Sequence, residues 1–346
     1  MIRVTTPVMA NLLWNVGLKA LFLIPFIIYS ISKGFVLLGL SLIFRGRKWM
    51  FEKKERTGRP PCMDNPSFGT HKTVRVKGLN LHVVVSGNPQ HPLMLFLHGF
   101  PECWYSWRHQ IKEFNKDYYC VSFDMRGVGE SDAPLGVKNY SIDELVSDVS
   151  ELVKVLGYTS CVVVGHDWGG AIAWEFASRY PDLVEKLINM NIPHLERFRE
   201  VMESGTSQLF MSWYIMFFQL PRLPEILISM GDYAMIKAAC KKGPTTDEDI
   251  EAFKYSMSRP GRLTSFLNYY RAMVRYPPKD GRDRIQCPTL LIWGTGDTAL
   301  HTDNSYGTEK FCEDLTVERI EGGDHFIQQE RPNEVNEIMR KYLADH

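Results

Sequence analysis

The chain of 346 residues predicts an α/β fold: a mostly parallel sheet with helices on both faces, interrupted by a helical insertion and preceded by a membrane helix. Three observations predict it. From about Thr73, short apolar runs alternate with segments of helical spacing, the pattern of a parallel sheet covered on both faces. That alternation stops between about His194 and Asp283, where the chain turns helical and aromatic, and then resumes. Residues 9–44 carry only two charges, Lys19 and Lys33.

The N-terminal run comes first. A spanning helix needs about 20 mainly apolar residues, whereas the apolar core of a cleaved signal is about 7–15 long with a small-residue cleavage site. Residues 1–44 therefore read as a single-pass anchor, a lysine near its edge reaching the headgroups. Pro25 and Gly34 leave a kinked or re-entrant hairpin open. Arg45, Arg47, Lys48, Lys53, Lys54 and Arg56 follow the span, against Arg3 and the amino terminus before it. The positive-inside rule then places the main domain in the cytosol, where the sequon at Asn139-Tyr140-Ser141 has no use.

Residues 45–70 are charged, then rich in Pro and Gly, and read as a linker. The first part of the core, 71–193, holds strand-like "TVRVKG", "LNLHVVVSG", "LMLFLHG", "YYCVSFD", "CVVVG" and "KLINMNI", with a helical "SIDELVSDVSELVKVLG" between them. A helical lid is expected over 194–284. The second part, 285–346, supplies "PTLLIWG", "LTVERIEG" and a closing helix after Pro332.

Composition excludes several functions. Forty basic residues balance forty acidic ones, so the basic excess that nucleic acid binding demands is missing. Seven scattered cysteines, without C-x-x-C spacing, read as free thiols in a reducing compartment. No His or Cys cluster has metal-ligand spacing, "RGVGES" lacks the ending of a phosphate loop, and no cofactor is implied.

Chemistry gathers at the ends of strands. "GHDWGG" follows the apolar run Cys161 to Val164 and leads into a helical segment, the strand-turn-helix context of the nucleophile elbow G-x-S-x-G, with Asp167 in the place of serine. Three further loops at strand ends carry His98-Gly99-Phe100-Pro101, Asp297 and His325. The order nucleophile, acid, histidine is that of the α/β-hydrolase triad. His98 and His166 flank turns and read as loop supports.

"HGFPECWYSWRHQ", "DMRGVGESDAP", "VVVGHDWGGAIAW", "LIWGTGD" and "GGDHFIQQERP" resemble the motifs of the α/β-hydrolase-fold epoxide hydrolases over about residues 70–345. The anchor is similar to that of the membrane-bound vertebrate epoxide hydrolases 3 and 4. The resemblance implies an eight-stranded sheet, a membrane location in the endoplasmic reticulum, and a lipophilic epoxide, such as that of a fatty acid, hydrolysed to a vicinal diol.

The resemblance also assigns roles. Asp167, a carboxylate already ionised at neutral pH, attacks the strained ring and forms an ester. His325, oriented by Asp297, activates the water that hydrolyses it. The backbone N–H groups of Phe100 and Trp168 match the family's oxyanion hole. Tyr214 and Tyr270 match its two lid tyrosines, which donate to the departing alkoxide, and Tyr269 is the adjacent competitor.

Haloalkane dehalogenases use the same aspartyl ester, but their halide-binding loop often carries Asn where this chain has Phe100, and a halide has no use for a tyrosine pair. A fluoroacetate-type enzyme needs Arg where Trp168 stands. Serine esterase chemistry lacks its serine, Ser106 and Ser131 lying off any elbow. A silent, membrane-tethered binding protein is expected to have lost a triad member or a lid tyrosine, and all are present.

Overall fold

The computed structural model describes residues 6–204, 207–278 and 284–346, with side chains from Ile24 onward. The end of the insertion at Asp283, Arg3, and the side chain of Lys19 lie outside the described residues. Eight strands form one sheet: β1 (Thr70–Val76), β2 (Leu79–Ser86), β3 (Leu93–Leu97), β4 (Tyr119–Phe123), β5 (Cys161–His166), β6 (Val184–Met190), β7 (Thr289–Gly294) and β8 (Leu315–Ile320). Their order is β1-β2-β4-β3-β5-β6-β7-β8. β2 runs antiparallel to β1 and β4, while β4-β3-β5-β6-β7-β8 is parallel throughout.

The apolar runs explain this arrangement. Every residue of β3, β4, β5 and β7 is buried; because alternate side chains point to opposite faces, both faces of the central sheet are covered. The helices are α1 (Thr6–Met50), α2 (Arg108–Phe114), α3 (Ile142–Val155), α4 (Trp168–Arg179), α5 (Leu195–Glu203), α6 (Ser207–Met211), α7 (Trp213–Phe217), α8 (Leu223–Cys240), α9 (Asp247–Ser258), α10 (Arg262–Arg275), α11 (Ile327–Glu330) and α12 (Pro332–Asp345). α12 buries Val335, Met339 and Tyr342, the i, i+4, i+7 stripe of an amphipathic helix. Charged residues sit on the two edge strands, Lys72 and Arg75 on β1 and Glu318 and Arg319 on β8, where they discourage pairing with another chain.

Two segments differ from the reading of composition. α1 reaches Met50 only across a kink at Gly46, whose backbone is non-helical (φ 78°, ψ 165°), and from Phe26 it lies against the inserted helices rather than standing clear of them. Residues 45–70 are fastened to the domain instead of forming a loose tether. Arg56 donates to Asp232 at 2.6 and 2.8 Å and to Glu251 at 3.0 Å, and Arg59 reaches Glu130 at 2.5 Å. Linker-like composition conceals this because each partner lies 71 to 195 residues away.

Backbones approach closely where α4 begins. A Cβ on Gly169 would lie 2.1 Å from the Leu97 carbonyl oxygen and 2.7 Å from that of His98, so β3 and the start of α4 can touch only through glycine. Gly169→Ala is expected to lower the unfolding free energy by about 3 kcal/mol or more, the upper range for overpacking. Urea denaturation checks this, and an unchanged midpoint would show that the two backbones have room to part.

Candidate active site

β5 ends at His166 and α4 starts at Trp168, so Asp167 alone makes the turn. Its backbone stands at φ 49° and ψ −121°, a conformation that costs a residue with a side chain about 1–3 kcal/mol. The flanking glycines let the surrounding backbone close around it. The consequence is a carboxylate lifted above the sheet at the N-terminus of α4, where the helix dipole favours negative charge. Phe100 N–H, from the loop after β3, donates to Asp167 Oδ1 at 2.7 Å. The other oxygen, Oδ2, lies 3.5 Å from His325 Nε2, and 15% of the Asp167 side chain is exposed, enough to be reached.

His325 stands on the loop after β8. Its Nδ1 faces Asp297 Oδ2 at 2.8 Å. The Asp297 side chain is fully buried, and three donors satisfy it: the N–H groups of Ala299 and Leu300 to Oδ1, both at 2.7 Å, and Asn191 Nδ2 to Oδ2 at 2.6 Å. Buried polar groups need such partners, and here they also fix the carboxylate that aims the imidazole.

Electrostatics follow from this geometry. Burial works against a charged His325, but the charges and hydrogen bonds of Asp297 and Asp167 outweigh it and push its pKa up to about 10. For Asp167, burial works against ionisation, while the hydrogen bond and charge of His325, the neighbouring His166 and the Phe100 N–H hold it below the usual carboxylate range. The ground state is an ion pair, a carboxylate beside an imidazolium.

The inserted helices close over this pair. α7 brings Tyr214 and α10 brings Tyr270, their rings 5.9 Å apart and perpendicular. Burial, then the charge of Asp167, raises both phenols above their ordinary value, so both are protonated at neutral pH. The adjacent Tyr269 points its hydroxyl elsewhere, donating to the Arg126 carbonyl at 2.8 Å. The Trp168 indole meets Tyr270 edge-on at 4.9 Å. Two apolar lobes meet at Asp167, Tyr214 and Tyr270. One, of about 80 Å³, is lined by Ile192, Leu195, Phe198, Met273 and Leu300. The other, of about 220 Å³, is lined by Phe100, Trp213, Phe218, Leu227 and Met235.

Sequence reasoning missed the supports. Asn191, at φ 48° after β6, also accepts from Gly294 N–H at 3.2 Å, tying β7 to the Asp297 loop. Glu102 is fully buried and accepts from Gly99 N–H, Gln328 and Gln329. It pairs with His166 at 2.9 Å, and the far nitrogen of His166 holds the His325 carbonyl at 2.8 Å. His166 is thus a loop support, as its position beside a turn implied, and the loop it supports is that of His325. An acid directly after "HGFP" was the available signal for Glu102; Asn191 had none.

A raised histidine pKa makes a statement about stability. A group whose folded pKa lies above its unfolded value stabilises fully below the unfolded value and loses that contribution as pH climbs through the folded one. For His325 the window runs from 6.5 to about 10. The melting temperature of His325→Gln should lie below that of the parent at pH 6 and converge with it as pH rises through this window. A gap of constant size would argue against the ion pair.

Comparison with known proteins agrees with the architecture. A family model described as the alpha/beta hydrolase fold matches residues 92–332. Epoxide hydrolase 3 of Xenopus tropicalis is 42% identical over 323 residues, covering 88% of this chain and 86% of that protein. Epoxide hydrolase 4 of Homo sapiens is 39% identical over 315 residues, covering 87% of this chain and 86% of the relative. Among solved structures, a mutant epoxide hydrolase from Bacillus megaterium, complexed with its product (R)-3-[1]naphthyloxy-propane-1,2-diol, superposes with a TM-score of 0.73. It is 35% identical, and the match covers 79% of this chain and all of that one. The strand order, the aspartate at the elbow and these likenesses together make the chain a hydrolase belonging to the α/β-hydrolase-fold epoxide hydrolases.

Proposed function

We propose that this enzyme opens lipophilic epoxides, those of unsaturated fatty acids among them, through a covalent ester on Asp167. The observation that carries the reading is one carboxylate with a histidine at its free oxygen and two protonated tyrosines over it. Asp167 Oδ2 attacks a ring carbon and the C–O bond breaks. The departing oxygen takes a proton from Tyr214 or Tyr270. Oδ1, already held by Phe100 N–H, becomes the ester carbonyl oxygen.

Ester formation changes the histidine. Asp167 loses its charge, so one of the two carboxylates raising the His325 pKa disappears. The imidazolium then gives up its proton, which restores the tyrosine. Neutral His325 accepts a proton from water as that water attacks the ester carbonyl carbon, and the oxyanion forms at Oδ1, which Phe100 N–H already holds and to which the family likeness assigns the Trp168 N–H as a second donor. Collapse expels the diol oxygen, which takes the remaining hydroxyl proton. Asp167 returns as a carboxylate beside protonated His325, and the cycle closes with one water consumed.

The two apolar lobes support a substrate with an arm on each side of the ring, the longer arm in the larger lobe. An apolar site that excludes water also strengthens the tyrosine and oxyanion contacts. Ile24–Met50 is long and apolar enough, by length and composition, to cross a membrane. We assign this segment to membrane attachment at the endoplasmic reticulum, with the exposed Arg45, Arg47, Lys48, Lys53 and Lys54 on the cytosolic side with the enzyme.

Asp167→Ala is expected to abolish turnover. His325→Gln should form the ester and fail to hydrolyse it, leaving a stable mass increase on the Asp167 peptide after exposure to a lipid epoxide or styrene oxide. Tyr214→Phe or Tyr270→Phe alone should slow ring opening and the double variant should nearly stop it. An adduct formed from a haloalkane and from no epoxide, or full activity in the double variant, would refute the assignment.

A further inference from the structure

Helix α1 is part of the wall behind the inserted helices. Phe26, Ser30 and Gly34 form a buried stripe along it at four-residue spacing. The Tyr29 ring meets Phe210 of α6 edge-on at 5.5 Å, and the Lys33 ammonium lies 4.9 Å from the centre of the Trp213 ring on α7. Further along, Trp49 lies against Gly231, and the Glu52 carbonyl accepts from Asp232 N–H at 3.1 Å. The opposite side of α1 is also apolar, with Ile24, Ile28, Phe35, Val36 and Ile43 exposed. One helix thus presents one face to the inserted helices and another suited to lipid.

The tightest point is Gly34. A Cβ there would lie 2.1 and 2.2 Å from two ring carbons of Phe217, and that ring, fully buried and packed against Trp213 at 5.9 Å, has little room to yield. α7 has only five residues, too few to hold a position by its own hydrogen bonds; its place is set by what lies on either side. Trp213 and Phe217, four apart, meet α1. Tyr214 and Phe218, one position further round the helix, meet Tyr270 at 5.9 and 5.0 Å.

We infer that Gly34 is a positioning residue for ring opening: its lack of a side chain lets α1 close on Phe217, and that contact sets where α7 presents the Tyr214 hydroxyl over Asp167. The inference rests on Tyr214 as a proton donor in the proposed reaction. It separates the two half-reactions, because ester hydrolysis uses His325, Asp297 and the Phe100 N–H, none of which α1 or α7 carries.

The test uses the full chain in detergent with styrene oxide, so that delivery from a bilayer plays no part. Rapid quenching and mass measurement of the Asp167 peptide follow ester formation and decay separately. Gly34→Ala and Gly34→Leu should slow ester formation by about ten- to a hundredfold, the scale of a small misplacement of a reacting group, with the rate of ester decay unchanged. Adding Phe217→Ala to Gly34→Ala should restore much of the lost rate by making room. Equal ester formation in folded Gly34→Ala and the parent would overturn the inference, as would equal slowing of both steps that Phe217→Ala does not relieve. If the parent itself forms no Asp167 ester, the proposed reaction falls and the inference falls with it.

Discussion

Two carboxylates share one imidazole in a space largely closed to water, and most of what surrounds them serves that arrangement. Removing a charge from water is costly unless an opposite charge and hydrogen bonds replace the lost hydration. Asp167, His325 and Asp297 supply the charges. The hydrogen bonds come from farther apart in the chain: Phe100 after β3, Asn191 after β6, Ala299 and Leu300 after β7. Parallel strands bring these loops to one edge of the sheet, which is why the parallel order matters more to the site than any single strand does. In the proposed reaction the same balance acts as a timer, since esterifying Asp167 removes the charge that kept His325 from acting as a base.

Around that centre lies a second layer that bears no direct chemical role. Glu102, His166, Gln328 and Gln329 form a buried network from the loop after β3 to the loop and helix carrying His325. The inserted helices contribute in the opposite way, by supplying apolar surface. They keep the two phenols protonated beside a carboxylate and leave two lobes for hydrocarbon, so a polar reaction sits at the junction of apolar spaces. α1 extends that apolar layer outward, and its contact with α7 ties the segment assigned to the membrane to the placement of Tyr214.

Much of this was written locally in the chain. Strands β3, β5 and β7 declare themselves as short apolar runs, because burial on both faces leaves few polar positions, His166 and Thr289 at strand ends being the exceptions. The elbow declares itself through "GHDWGG", because a strained turn with a close helix needs small residues on either side. Asp167, Asp297 and His325 follow from their places after strands, and Tyr214 and Tyr270 only from likeness to a family. The geometry engages the Tyr269 hydroxyl with the Arg126 carbonyl, a difference from its neighbour that adjacent identical residues cannot express in sequence.

What the chain alone determined, then, is the order of strands and helices, the aspartate at the elbow, the acid and histidine after it, and an apolar N-terminal segment. Those features depend on neighbours within a turn or a strand. Only the tertiary structure decided that Asn191 holds Asp297, that Glu102 and His166 hold the His325 loop, that Arg56 fastens the residues after α1 to Asp232, and that Gly34 touches Phe217. Each is a contact between single residues 64 to 183 positions apart, or between loops whose meeting depends on the whole sheet. Periodicity carries no record of such pairs, because it reports which face of an element is buried and not what it is buried against.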